Sequence, residues 1–224
     1  MRPQKEETRQ IRILIADDHR ILREGLGKLL ETQPDLAVVG QANDGAQAYR
    51  LAMELQPDVL LLDARMPRVS GLETIRRLAK TQINTRIILL TSGVDTPVLV
   101  EAMRLGIHGV VLKQSAVQNL HASIRAVATG KYWMLSETVP DLEATLRTYT
   151  LKSFDRYTLQ KNLDLTPHEL EIVSAVLSGK DNEEIAEELS ISELTLKRDL
   201  NIIFKKVGAS NSMQLLLRLF RRSP

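Results

Sequence analysis

Cysteine is absent from the 224-residue chain, which excludes disulfides, thiolate metal ligands and cysteine nucleophiles and fits a reducing compartment. No stretch approaches the roughly 18 uninterrupted apolar residues of a membrane-crossing helix. The opening segment, Met1 to Arg12, is charged and polar and lacks the apolar centre of a secretory signal. A cytoplasmic protein with no membrane partner is therefore expected. Charge of one sign is scarce too: 30 Lys and Arg face 28 Asp and Glu, a net +2. Overall charge lends only slight support to a nucleic-acid partner, so any such case has to come from local pattern. Apolar residues, by contrast, make up 43% of the chain, enough for one large or two ordinary cores.

The strongest apolar run is Val59-Leu60-Leu61-Leu62, which ends abruptly in Asp63. A run of that length predicts a strand buried on both faces, as in a parallel sheet covered by helices. Met66-Pro67 follows, and the fixed φ of proline, with the extended bias on the residue before it, forces a loop. Further strands are expected at Ile11 to Ala16, Leu36 to Val39, Arg86 to Thr91 and Gly109 to Leu112. Helical patterns alternate with them: Ile21 to Leu30, Ala46 to Leu55, Ser70 to Lys80, Val98 to Leu105, and a last one opened by Ser115 with Gln118 placed for a capping box. Five βα units predict an α/β fold, a doubly wound five-stranded parallel sheet with right-handed crossovers.

Such sheets hold their ligands at the carboxyl ends of the strands, and here those ends carry Asp17-Asp18, Asp63, Thr91 and Lys113. Three carboxylates drawn together repel one another unless a cation sits among them. An oxygen-only set suits a hard, water-keeping ion, hence Mg²⁺. A lysine and a hydroxyl opposite would complement the oxygens of a transferred phosphoryl group, with Asp63 as candidate nucleophile. Taken singly, each residue has a plainer reading: Asp63 as a cap or turn residue, Lys113 as a solvated lysine, Thr91 as a turn hydroxyl. The ordered set points to phosphoryl chemistry.

Asp17-Asp18, Asp63 with Arg65-Met66-Pro67 and Gly71-Leu72, Thr91-Ser92-Gly93 and Leu112-Lys113 resemble the receiver domain of two-component response regulators, with its flavodoxin-like sheet, over residues 11–130. The resemblance implies that Asp63 accepts phosphate from a histidine kinase. It implies Mg²⁺ held by Asp18 and Asp63, with Asp17 assisting and the backbone carbonyl of Arg65 as a further ligand. Thr91 and Lys113 would contact the phosphoryl oxygens. Where such domains usually carry a Tyr or Phe in the last strand, this chain has Val110.

Residues 131–162 lack the alternating pattern and read as a linker, with helical character around Leu142 to Leu146. A second unit, 163–222, opens with clear punctuation. Thr166 is placed as N-cap, Pro167 at the first helical position and Glu169 at the capping-box position; Asp181 with Glu184, Ser192 and Asn211 open three more helices. Four short helices make a small all-α domain. The second and third have helix-turn-helix proportions, and the third offers Thr195, Lys197, Arg198, Asn201, Lys205 and Lys206 for phosphate and base contact. A solvated polar face has the same spacing. Leu165-Thr-Pro-His-Glu-Leu-Glu, Gly179 to Ser192 and Thr195-Leu-Lys resemble the LuxR-type DNA-binding domain of the NarL/FixJ class.

Two features set this helix-turn-helix apart. Asp199 stands where that class commonly has histidine, and from Leu165 to Pro224 eight Lys and Arg face nine Asp and Glu. Weak monomer binding, strengthened by homodimerisation on paired half-sites of double-stranded promoter DNA, is the expectation. The function expected is thus a transcriptional response regulator activated by phosphotransfer. Two alternatives stand beside it: a DNA-binding regulator independent of phosphorylation, and a Mg²⁺-dependent phosphotransferase working through an aspartyl-phosphate. The latter wants a second acid/base carboxylate two residues after its nucleophile, where this chain has Arg65.

Overall fold

The structure, a computed structural model, describes residues 9–93, 95–134, 142–152 and 163–222. They fall into two compact units, divided between Val139 and Pro140. Among the described residues no helix is long and apolar enough to cross a membrane.

In the first unit strands and helices alternate: β1 Ile11–Ala16, α1 Arg20–Glu31, β2 Leu36–Ala42, α2 Gly45–Leu55, β3 Val59–Asp63, α3 Gly71–Leu78, β4 Arg86–Thr91, α4 Thr96–Leu105, β5 Gly109–Leu112 and α5 Ala116–Ala128. All strands pair in parallel, in the order β2-β1-β3-β4-β5. The chain moves outward from β1 on both sides, so the strand order reverses between β1 and β3, the place where doubly wound sheets open a crevice. β3 lies at the centre with every residue buried, which is why its sequence is continuously apolar rather than alternating. Ile13 and Ile15 of β1, Leu61 of β3 and Ile88 and Leu90 of β4 pack with Leu26 and Leu30 of α1 and Leu120 and Ile124 of α5. On the other face Leu14 meets Gly40 beside Leu51 and Leu55 of α2.

Two details differ from the sequence expectation, and a third extends it. A two-residue strand, β6 Trp133–Met134, pairs with β5 as a sixth strand at the edge, within the stretch expected to be linker. The same stretch forms α6 Leu142–Lys152, within the second unit, which includes the helical character expected around Leu142 to Leu146 and extends it. β6 is too short for a readable period, and the later part of α6 gives little to read, since the helix buries little more than Leu146 and Thr150 among its described side chains. Finally, Ser115 does not cap α5. Residues Lys113–Ser115 form a 3₁₀ turn, and the Ser115 hydroxyl donates to the Leu112 carbonyl at 3.2 Å.

The second unit contains α6, α7 Pro167–Leu177, α8 Asn182–Glu188, α9 Glu193–Val207 and α10 Ser212–Arg222. α6 packs against α10, where the Tyr149 ring meets Phe220 edge-on at 6.4 Å. The capping boxes form as the sequence predicts: Thr166 with Glu169, and Asp181 with Glu184. The α8–α9 turn places Ser190 at φ 53° and ties the Ile191 N–H to the Ala186 carbonyl at 3.0 Å. Leu196, Leu200, Ile203 and Val207 form the buried stripe of α9.

Glu169 has a second duty, because its carboxylate also receives the Lys206 ammonium of α9 at 2.8 Å. Burial alone would raise its pKa, but Lys206 and the Thr166 N–H more than offset that and hold it below the ordinary glutamate value. Its folded value being depressed, this carboxylate stabilises the unit above the unfolded pKa, and the contribution is lost as pH falls through the folded one. Glu169→Ala is expected to destabilise the second unit by roughly 1–3 kcal/mol at neutral pH. The loss should vanish in strong acid, and denaturant titrations at both pH values check it.

Candidate functional site

Because β1, β3, β4 and β5 are parallel neighbours, their carboxyl ends share one edge of the sheet. There Asp17 is fully buried and Asp63 is 2% exposed. The Lys113 ammonium lies 2.7 Å from Asp17 Oδ2 and 2.9 Å from Asp63 Oδ2. Among the described residues no hydrogen bond reaches either oxygen otherwise. The Asp63 Oδ1 accepts the Arg65 N–H at 3.2 Å. Asp17 Oδ1 accepts the His19 N–H at 2.8 Å, and Asp17's carbonyl takes the Arg23 guanidinium at 2.7 Å. Asp18 stays at the surface.

One ammonium facing two buried carboxylates leaves the pocket with surplus negative charge. Burial pushes the Asp63 carboxyl above its ordinary pKa; Lys113 and the Arg65 N–H oppose this, and Asp17's charge adds to it. Burial would lower the Lys113 pKa, yet Asp17 and Asp63 together raise it. The same surplus fits a cation. Donor atoms of Asp17, Asp18, His19 and Asp63 all lie within 4.8 Å of one another, and so oxygen-rich a set suits a hard divalent ion. His19, whose Nδ1 lies 2.9 Å from Asp18 Oδ1, was missed in the sequence. Its position directly after the two acids was the available signal.

The structure thus brings Asp17, Asp18, Asp63 and Lys113 together. Thr91 ends β4 one residue beyond Leu90, the register partner of Asp63. Its hydroxyl donates within its own loop, to the Gly93 carbonyl. The β3–α3 loop that carries Arg65 closes tightly: the Gly71 N–H donates to the Ala64 carbonyl at 3.2 Å. A Cβ at position 71 would collide with the Asp63 carbonyl oxygen, so the helix can start this close to the carboxylate only on glycine.

In the second unit Lys197, Arg198, Asn201 and Lys205 are exposed on α9, while Thr195 is half-buried and shares its hydroxyl with Ser192 at 2.9 Å. Lys197 pairs with Glu193 one turn earlier at 3.3 Å. Lys206 departs from this set, its ammonium engaged by Glu169 and by the Asp164 carbonyl at 2.9 Å. Asp199 is drawn inward, 3.3 Å from His168 Nε2 of α7 and 3.4 Å from the Arg198 Nε, with its side chain only 13% exposed. The carboxylate that would repel DNA is thereby paired. Leu194, 79% exposed, and Ile202, 42% exposed, share the outer face. They are legible in the sequence as apolar positions outside the buried stripe.

Comparison with known proteins agrees with both halves. Residues 13–125 match the response regulator receiver domain, and residues 163–219 match the bacterial regulatory proteins of the luxR family. The transcriptional regulatory protein LiaR of Bacillus subtilis is 35% identical over 91% of this chain and 94% of its own. The nitrate/nitrite response regulator protein NarL of Escherichia coli is 34% identical over 90% and 91%. Among solved structures, one of two RcsB dimers bound to two parallel DNAs is similar, with a TM-score of 0.54 and 26% identity over 95% of this chain and 99% of that one.

The surplus charge has a stability consequence. A raised folded pKa means that the Asp63 carboxylate weakens the fold as pH rises out of the ordinary carboxylate range. Asp63→Asn removes that charge and leaves Asp17 to pair with Lys113. In chelator at neutral pH the variant is expected to unfold at higher denaturant than the parent, and to gain less on addition of Mg²⁺; a lower midpoint would contradict the account.

Proposed function

The chain belongs to the response-regulator family, with a receiver domain and a luxR-type DNA-binding domain, and on that premise we propose that Asp63 is its phosphoacceptor and that phosphorylation controls DNA binding. The observation that carries the reading is the buried Asp63 carboxylate, held with Asp17 and Lys113 at one edge of the sheet. We place the receiver at residues 11–130 and the DNA-binding domain at 163–222. The residues between them connect the two and contribute β6 and α6.

An Asp63 oxygen attacks the phosphorus of a phosphohistidine on the partner kinase. The O–P bond forms, the N–P bond breaks and the departing imidazole takes up a proton. Lys113 turns from the carboxylates to the new phosphoryl oxygens, and Thr91 leaves Gly93 to give them its hydroxyl. Asp17, Asp18, Asp63 and the Arg65 carbonyl would hold Mg²⁺, which would supply countercharge to a phosphoryl group there. The receiver catalyses only its own phosphorylation and dephosphorylation. The phosphorylated form dimerises, so that two α9 helices enter successive major grooves of promoter DNA in the cytoplasm. Family membership leaves no support for the small-molecule phosphotransferase.

Incubation with Mg²⁺ and acetyl phosphate should add one phosphoryl mass to the parent and none to Asp63→Asn, with tighter promoter binding in the same parent samples. No adduct, or an adduct that leaves binding unchanged, favours the phosphorylation-independent regulator. On α9 the positions should separate. Arg198→Ala is expected to weaken binding by roughly 1–3 kcal/mol with the fold intact, whereas Lys206→Ala acts mainly through lost stability of the second unit; fluorescence anisotropy beside denaturant unfolding distinguishes them.

A further inference from the structure

Beside the phosphoacceptor edge lies a cavity of about 270 Å³ between the ends of β4 and β5 and the start of α4. Its inner wall is aliphatic: Leu89 and Val110 are register partners on β4 and β5, facing Val98 and Leu99 of α4. Val110 is 1% exposed and Leu89 3%. Its polar lining is Arg65, Thr91, Gly93 and Asp95. Of these Arg65, Gly93 and Asp95 are exposed and define the mouth.

This division of polarity selects a ligand. A water molecule needs about two to four polar partners, and the aliphatic end offers it none, while an apolar cavity of about 150 Å³ accepts benzene. The volume here takes a substituted ring. The mouth residues supply a guanidinium from Arg65, a carboxylate from Asp95 and the backbone of Gly93. A carboxylate substituent would gain Arg65 but meet Asp95; a phenolic hydroxyl donates to Asp95 and accepts from Arg65 without repulsion.

We propose that this cavity is a binding site for a small hydroxyl-bearing aromatic molecule, whose occupancy alters phosphorylation at Asp63. The coupling rests on the phosphoacceptor reading above, and its physical route is short. Ala64, which follows Asp63, donates its N–H to Leu90 at 2.9 Å, and Arg65 donates to the Asp63 carboxylate. Both residues line the cavity, as does Thr91. A ring seated there restrains the loop that Thr91 must leave.

The test uses the full chain with phenol as probe and benzoate as comparison, by calorimetry and saturation-transfer NMR. Phenol should bind with a dissociation constant of about 0.1–1 mM and benzoate at least about tenfold more weakly. Val110→Phe, which fills the cavity from the strand side, and Val98→Phe, which fills it from the helix side, should each weaken phenol binding by about tenfold or more with the circular dichroism spectrum unchanged. Phenol binding of equal strength in parent and both filled variants, or none at 10-fold the upper value, overturns the site. Saturating phenol should change the rate of acetyl phosphate labelling by about twofold or more in the parent and not in Val110→Phe; an unchanged rate overturns the coupling. If phenol binding depends on the cavity but no phosphoryl adduct forms at all, the site is upheld and the phosphoacceptor reading is what fails.

Discussion

One ammonium group between two buried carboxylates is the interaction on which the receiver half depends. Lys113 reaches Asp17 and Asp63 from the far end of a strand that adjoins neither of theirs, since β4 lies between β3 and β5. Without it, two carboxylates would share a nearly dry space with nothing to balance them. With it, the pocket is one charge short of balance, which is the condition for recruiting a cation or giving up a proton. Everything that positions the triad, from the parallel register to the apolar continuity of β3 and the glycine at the start of α3, serves that small imbalance.

Much of this was legible in the sequence because the receiver is built from strong local signals. Val59 to Asp63 reads as a buried strand because both its faces are covered, and Asp17, Asp63 and Lys113 could be gathered on paper because parallel strands align their ends. The capping boxes at Thr166 and Asp181 were equally readable, each being a contact three residues long. What escaped was whatever depends on distant partners or on empty space. Lys206 resembles its neighbour Lys205 in sequence, but it faces Glu169 across the domain; only the packing of α7 on α9 tells the two apart. Asp199 was readable as a carboxylate where histidine is common, not as one paired with His168. The space beside Val110 is set by how far α4 stands from β5, which no periodicity encodes.

The second unit shows a division of labour among residues of one type. On α9 the exposed Lys197 and Arg198 are held by contacts of 3.3 and 3.4 Å to acids of their own helix, whereas Lys206, its side chain 31% exposed, has two fixed partners beyond it. The helix therefore presents a polar face without relying on it for stability. Glu169 serves the start of α7 and the end of α9 at once, so a single, mostly buried carboxylate ties those two helices together.

The order of strands in the sheet also has a meaning in time. The chain is made from its amino end, and Asp17 and Asp63 emerge long before Lys113. Until β5 has taken its place beside β4, the two acids lack the Lys113 ammonium between them. A truncated or half-made chain thus carries the two acids without the ammonium that stands between them. A completed charge pocket is in this way a sign that the receiver has been finished.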